Sequence, residues 1–285
     1  MSRNLIAWLY VTPLMLVLVP FFLLPILVVL AASVFETDGF GGLTPTLTLA
    51  NYVDLLTSAQ TLQLYAATLK FTVLTWFFTV IIGFFVAYFL VFHIRSQLLA
   101  ISLFLICTVP FWTSNIIRMI SWIPLLGKEG LINSGLMKVG AIDQPIEALL
   151  FSSLAVVIAY VHQLTIFMVV PIFNSMARID KRVVEAAIDA GASRFDVMRL
   201  IIVPMSKSGI ALGSIFVVSI VMGDFFVVKV MSGGGSASVV SAFYENVGVL
   251  QYPIAAASAV LLTIVLVAII SLILRVVDIR REITQ

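Results

Sequence analysis

ARIDKRVVEAAIDAGASRFDVMRLIIVPMSKSG, residues 177–209, is the one long charged interval in a chain that otherwise reads as lipid-soluble sequence. Asp180 is placed to cap a first helix over 181–190, with Val183, Val184, Ala187 and Ile188 on one face and Lys181, Arg182, Glu185 and Asp189 around the rest. Gly191 stops that helix, because only glycine enters the left-handed conformation at a helix C-terminus without a steric cost. Ser193, with Asp196 three residues on, starts a second helix by a capping box in which Asp stands for the usual Glu or Gln. Phe195, Met198 and Ile202 recur on one side of it, and Pro204 is expected to end the run. The two short helices carry an apolar face without a core of their own. That face packs either beneath the chain's own bundle, or on anionic lipid, or against a partner protein.

Around this interval, 62% of 285 residues are hydrophobic and 11% are charged, with a mean hydropathy of +1.18. Soluble domains carry about a quarter of their residues as charges, so the composition is that of an integral membrane protein. The net charge of +2 is too small to indicate nucleic acid as a partner. A single Cys107 excludes an internal disulfide and a cysteine cluster for metal. His93 and His162 are isolated from any carboxylate or thiol at ligand spacing, so no metal site is expected.

A bilayer core requires about 20 helical residues, and six apolar runs supply them, at about 5–34, 69–92, 98–117, 149–176, 210–231 and 254–277. The expectation is an all-α polytopic membrane protein with six transmembrane helices and a single domain over 1–285. The first run, interrupted by Pro13, Pro20 and Pro25, is too long for a cleaved signal peptide and reads as a kinked or tilted signal-anchor. Residues 36–62, with Gly39, Gly41, Gly42 and Pro45, read as an external loop holding a short surface helix at 52–56. The third run is ambiguous beyond Pro110, since Arg118 and Pro124 sit in its apolar continuation. We place its end at 117, with Arg118 at the far interface and 128–147 as a glycine-punctuated external loop.

Six crossings put both termini on one side. Arg3, Arg95, Arg178, Lys181, Arg182, Arg194, Arg199, Lys207, Arg275, Arg280 and Arg281 fall on that side with the two-helix loop. Lys70, Arg118, Lys128, Lys138 and Lys229 are left for the other, 11 against 5 of the 16 Lys and Arg. By the positive-inside rule the termini and the loop are cytoplasmic. The loop therefore faces the compartment that holds ATP.

Glu185-Ala186-Ala187, Gly191 four residues beyond Ala187, Val203-Pro204 and Gly209-Ile210 resemble the EAA loop of the membrane subunits of binding-protein-dependent ABC importers. Val203 stands where a leucine is usual, and Ser208 where a proline often precedes the glycine. Arg118, Trp122, Leu126-Gly127, Gly130 and Ile132-Asn133 resemble the segment after the third span of the spermidine/putrescine-type permeases. Gly223-Asp224-Phe225 and Ser232-Gly233-Gly234 resemble their fifth span and the loop beyond it. The resemblance covers nearly the whole chain and implies the type I permease fold of ABC importers, in a bacterial inner membrane. It implies a small solute as cargo, a polyamine or a related organic cation, with ferric ion, thiamine, phosphonate and opine systems as alternatives in the same branch.

The resemblance also implies partners. These are two cytoplasmic ABC ATPase subunits that bind the ATP and Mg, a second permease subunit that is a paralogue, an external substrate-binding protein, and membrane lipid. This chain would hold no cofactor and perform no hydrolysis. In the family the first loop helix sits in a groove of the ATPase, which would make Val183, Val184, Ala187 and Ile188 the buried contact. Ala186 and Ala187 would allow close approach, Glu185 would pair with a basic group, Gly191 would hold the angle, and Pro204 belongs to the matched motif.

Candidates for the solute path are Asp224, Trp122, Arg118 and Tyr160. An ionisable group at a helix centre costs roughly 2.5–3.5 kcal/mol on insertion scales, so it marks a path or a pair. Asp224 is thus either an anionic site for a cation or half of a structural pair, and Lys229, five residues on, is poorly spaced to be the other half. Trp122 and Tyr160, with Phe111 and Trp112, are able to stack on a cation, against the ordinary role of aromatics as interface belts. Arg118 would repel a cation or orient the external loops.

Residues 232–236 are glycine-rich, but no Gly-Lys-Ser/Thr follows, so they are not a phosphate loop. A rival intramembrane enzyme would need a clustered catalytic set. A rival ion-driven carrier would show paired intramembrane carboxylates or repeats, and the sequence displays neither.

Overall fold

The computed structural model describes residues 3–37 and 42–277, without the side chains of 3–10 and 276. Gly39, Gly41, Arg280, Arg281 and the side chain of Arg3 lie outside the described residues. Contacts group the chain into two units, 1–64 with 239–265, and 65–238 with 266–285.

In the first unit Arg3–Leu18, Val19–Leu23 and Leu24–Ala32 run on as one helix, α1, with a single wide turn at Val19–Leu23. Pro20 and Pro25 lack the N–H that an ordinary helical turn uses, and the wide turn lets the chain pass them without breaking. Its large apolar side chains are exposed from Val11 to Leu30, as a helix that meets lipid requires. The loop expected at 36–62 is more ordered than its composition suggested. β1 (Phe35–Thr37) and β2 (Leu43–Leu47) pair antiparallel, and α2 (Ala50–Thr57) follows. Thr44 and Thr46 favour the extended backbone. Asn51, buried, donates to the carbonyls of Ser33 and Phe35 at 3.1 and 3.0 Å, and Tyr52 Oη donates to Ser33 Oγ at 2.7 Å, which ties α2 to the end of α1 and to β1. α3 (Ala59–His93) starts at Ala59, where 69 was expected. The preceding AQTLQLYAAT is polar only through hydroxyls and carboxamides and consists mostly of good helix formers.

The second unit is organised on three helices: α3, α8 (Ser153–Met176) and α11 (Lys207–Gly223). α3 presents Thr68, Thr72, Thr75, Thr79 and Gly83 as a buried stripe of small residues. Met168 of α8, fully buried, fills the junction. A Cβ on Gly83 would come within 2.7 Å of Met168 Cγ, and one on Gly213 within 2.6 Å of its Sδ. Gly209 is tighter still, its missing Cβ facing the Pro171 carbonyl at 2.5 Å. Gly209 and Gly213 are one turn apart, so glycine is what lets α11 lie against α8 at backbone distance. Trp76 Nε1 donates to Ser214 Oγ at 2.8 Å and joins α3 to α11.

Two expected spans are broken. The third was placed at 98–117, but α4 (Gln97–Trp112) stops at Thr113–Ser114. Pro110 removes a helical donor and tightens the last turn, and the chain re-forms helix only after a bend of 93°. α5 (Asn115–Ile120), α6 (Ile123–Leu126) and α7 (Leu131–Lys138) follow, so 128–147 is a folded segment rather than a plain loop. Asn133, fully buried, closes it by donating to the carbonyls of Gly127 and Ile146 and accepting from the Ile146 N–H at 2.9 Å. The fifth span, expected at 210–231, breaks at Asp224 between α11 and α12 (Phe226–Met231). The fourth helix begins at Ser153 rather than 149, after Phe151 turns through φ +54°. α13 (Val239–Gly248) and α14 (Tyr252–Val276) complete the chain.

Among the described residues four helices are by themselves long and apolar enough to cross a membrane, and the count is six if the bent pairs Gln97–Trp112 with Asn115–Lys138 and Arg194–Met205 with Lys207–Gly223 are each one crossing. The described residues are all-α apart from the short hairpin.

Candidate functional site

The two-helix interval folds by its own local chemistry. Asp180 accepts the Arg182 N–H at 2.9 Å and starts α9 (Lys181–Asp189). Gly191, at φ +90°, ends it. The Gly191 N–H reaches the Ile188 carbonyl at 2.9 Å, and the Ala192 N–H reaches that of Ala187 at 3.0 Å, the double closure of a Schellman motif. Ser193 and Asp196 form the expected capping box of α10 (Arg194–Met205). Pro204 does not end that helix. It sits in the last turn, where a wide turn at Met198–Ile202 has already shifted the hydrogen-bond register, and the break comes at Ser206 with a bend of 65° into α11.

The apolar face of α9 is divided. Val184 and Ala187 are half-buried on the chain's own core, whereas Val183 and Ile188 remain 44% and 51% exposed, together with Glu185 and Ala186. One edge thus fastens α9 to the bundle, and the other is left open. Beside the open edge is a groove of 390 Å³, lined by Tyr88, Phe92, His93, Arg95, Lys181, Glu185 and Arg194 among others. There the basic turn after α3 lies beside the loop.

A second cavity, of 560 Å³, lies along α8 against α3, α4 and the 118–122 segment. Its wall is largely aliphatic, and its polar groups are Arg118, Trp122, His162, Gln163 and Thr165. Trp122 Nε1 donates to His162 Nδ1 at 3.1 Å, the rings edge to face. Trp122 is half-buried and lines the cavity. Arg118, expected at the far interface, is 7% exposed, because the bend after Trp112 carries it back towards α8. Gln163, which the sequence reading passed over, is 5% exposed and points into the same space. The polar pair His162-Gln163 inside an otherwise apolar run was the available signal.

Tyr160 and Asp224 do not belong to this cavity. Tyr160, 1% exposed, donates its hydroxyl to Asp224 Oδ1 at 3.0 Å, and the same oxygen accepts the Val227 N–H at 2.9 Å. Asp224 thus caps α12 across the break, and Lys229, exposed, is not its partner. Among the described residues no three His, Cys, Asp or Glu side chains gather in a metal-ligating group.

Residues 79–283 match the family described as binding-protein-dependent transport system inner membrane component. This chain belongs to that family. It is accordingly a multi-pass inner-membrane permease subunit of an ABC importer, in which ATP hydrolysis belongs to a separate subunit. Within the family it is 31% identical to the spermidine/putrescine transport system permease protein PotB of Salmonella typhimurium strain SL1344, over 87% of this chain and 86% of that one. The corresponding protein of Escherichia coli K12 is likewise 31% identical, over 87% and 90%. The E. coli permease YdcU is 26% identical over 79% and 74%. Among solved structures, a bacterial ABC transporter that imports the acidic polysaccharide alginate superposes with a TM-score of 0.73 over 100% of this chain and 98% of that one. At 16% identity this likeness shows the permease fold alone.

Proposed function

We propose that this permease subunit passes a small organic cation, a polyamine or a related amine, from an external binding protein to the cytoplasm. The observation that carries the reading is 31% identity sustained along 87% of the chain to permeases named for spermidine and putrescine. In the working assembly a second permease, a paralogue, completes the path, and two cytoplasmic ATPase subunits bind ATP and Mg. The exposed edge of α9, formed by Val183, Glu185, Ala186 and Ile188, docks on the ATPase, while Val184 and Ala187 transmit its movement to the bundle on which they are packed. Gly191 and the capping box at Ser193 fix the angle between α9 and α10, and Pro204 lies at the bend into α11, so a push on α9 reaches α11 through rigid joints. Closure of the ATPase pair then rocks the helices around the path. The termini and this loop are cytoplasmic, with the basic residues.

The test is uptake of radiolabelled putrescine and spermidine by proteoliposomes holding the complete complex, with ATP inside and loaded binding protein outside. The combined change Glu185→Ala and Gly191→Pro is expected to abolish uptake and the stimulation of ATP hydrolysis by loaded binding protein. Normal transport by that variant would remove the coupling role. Failure of the wild-type complex to move putrescine, spermidine or any related amine would remove the substrate reading.

A further inference from the structure

The cavity along α8 contains a charge that none of the described residues neutralises. Arg118 Nη2 donates to Asn115 Oδ1, but Nε and Nη1 are buried without an acceptor, and so is Gln163 Nε2. His162 spends Nδ1 on Trp122, so its neutral ring carries a further N–H at Nε2. No Asp or Glu is among the described residues of the wall. Buried donors are retained where something accepts from them, and a buried guanidinium left alone is the costly case. A pure polyamine cannot be that partner: it has only N–H donors and its own positive charge. An oxyanion can, by accepting from Arg118 and Gln163 together, and the aliphatic remainder of the wall, Ile82, Leu154 and Ile158 among it, suits a methylene chain. The volume lies in the range of small-molecule sites, about 300–1,000 Å³.

We propose that this cavity binds the transported solute through a carboxylate, so that the cargo is an amine that also bears a carboxylate rather than a pure polyamine. This deepens the importer reading above and rests on it. Arg118 and Gln163 are then substrate-binding residues, and Trp122 holds His162 in the tautomer that donates.

The probes are 4-aminobutyrate and putrescine, which share a chain and an amine and differ by one carboxylate in place of an aminomethyl group. Binding is measured by calorimetry on the complete complex in nanodiscs. Wild type is expected to prefer 4-aminobutyrate, and Arg118→Met to cancel that preference by about tenfold or more, the worth of a charge-assisted hydrogen bond. Arg118→Lys should restore part of it, and Gln163→Leu should weaken it less than Arg118→Met does. Equal binding of the two probes by wild type overturns the proposal. So does loss of the second permease from purified Arg118→Met complex, which would make the missing anion a side chain of that subunit. Release of co-purified phosphatidylglycerol by Arg118→Met, with probe binding unchanged, also overturns it and assigns the site to a lipid headgroup. Uptake of putrescine by wild-type proteoliposomes without any binding of 4-aminobutyrate sinks the carboxylate site and leaves the importer reading standing. Uptake of neither sinks both.

Discussion

Asp224 stands at a break in a membrane helix, and its Oδ1 is committed to two donors, the Val227 N–H and the buried Tyr160 hydroxyl. A carboxylate so engaged is a joint between α11, α12 and α8. Asp224→Ala removes the cap, worth about 1 kcal/mol, and strands the Tyr160 hydroxyl, worth a further 1–3 kcal/mol or so. Asp224→Asn keeps an acceptor at Oδ1 and with it both hydrogen bonds. Thermal unfolding of the purified complex is therefore expected to fall for the alanine variant and to stay near wild type for the asparagine variant, with uptake following stability. An asparagine variant of full stability that no longer transports would show instead that the negative charge itself meets the solute.

At the scale of elements, α9 is held by a glycine that no other residue replaces freely. Gly191 has open space where a Cβ would go, so the obstacle is its φ of +90° alone. Gly191→Ala should cost roughly 1–2 kcal/mol locally and loosen the angle between α9 and α10. The expected result is ATP hydrolysis that continues but is less tightly tied to uptake, read as more ATP consumed per solute moved. The closed segment 128–147 gives a test by pH. Lys128 Nζ lies 2.6 Å from Glu147 Oε1, and this hydrogen bond raises the Lys128 pKa and lowers that of Glu147. The pair is complete below the free lysine value of about 10.4 and above the free glutamate value of about 4.3. It is lost as pH falls through the depressed carboxyl or rises through the elevated ammonium. Both groups are fully exposed, so global stability should not register the pair. Acylation of Lys128 at about pH 9 should, by running slower than in Glu147→Gln. The caps of α9 and α10 were legible in the sequence because Asp180, Gly191, Ser193 and Asp196 act on neighbours within four residues. The breaks at Thr113 and Asp224 were not, since apolar residues continue on both sides and only packing on α8 decides where helix resumes.

Over the whole molecule, the apolar runs and their charge bias were readable because a bilayer imposes length and polarity on every helix alike. The cavity was not readable in the same way. Arg118, His162 and Gln163 are each visible as polar residues in apolar surroundings, but their meeting depends on the 93° bend that follows α4. The charge bias expected from the sequence, 11 of 16 basic residues on the side of the loop, predicts an orientation that can be measured directly. With Cys107, the sole cysteine, replaced by alanine, single cysteines at Ser193 in the capped joint and at Gly140 in the 128–147 segment probe opposite faces. Residue 140 has φ +69° and open space around it, so the change is mild there only in volume, and Lys138→Cys serves as a second position on that face. In sealed right-side-out vesicles a membrane-impermeant maleimide should label Lys138→Cys and Gly140→Cys at once, and Ser193→Cys only after permeabilisation. Inside-out vesicles should reverse the order. The reverse pattern in right-side-out vesicles would put the α9 edge in the wrong compartment for an ATPase, and the coupling role would fall with it, while the fold and the cavity chemistry would be untouched.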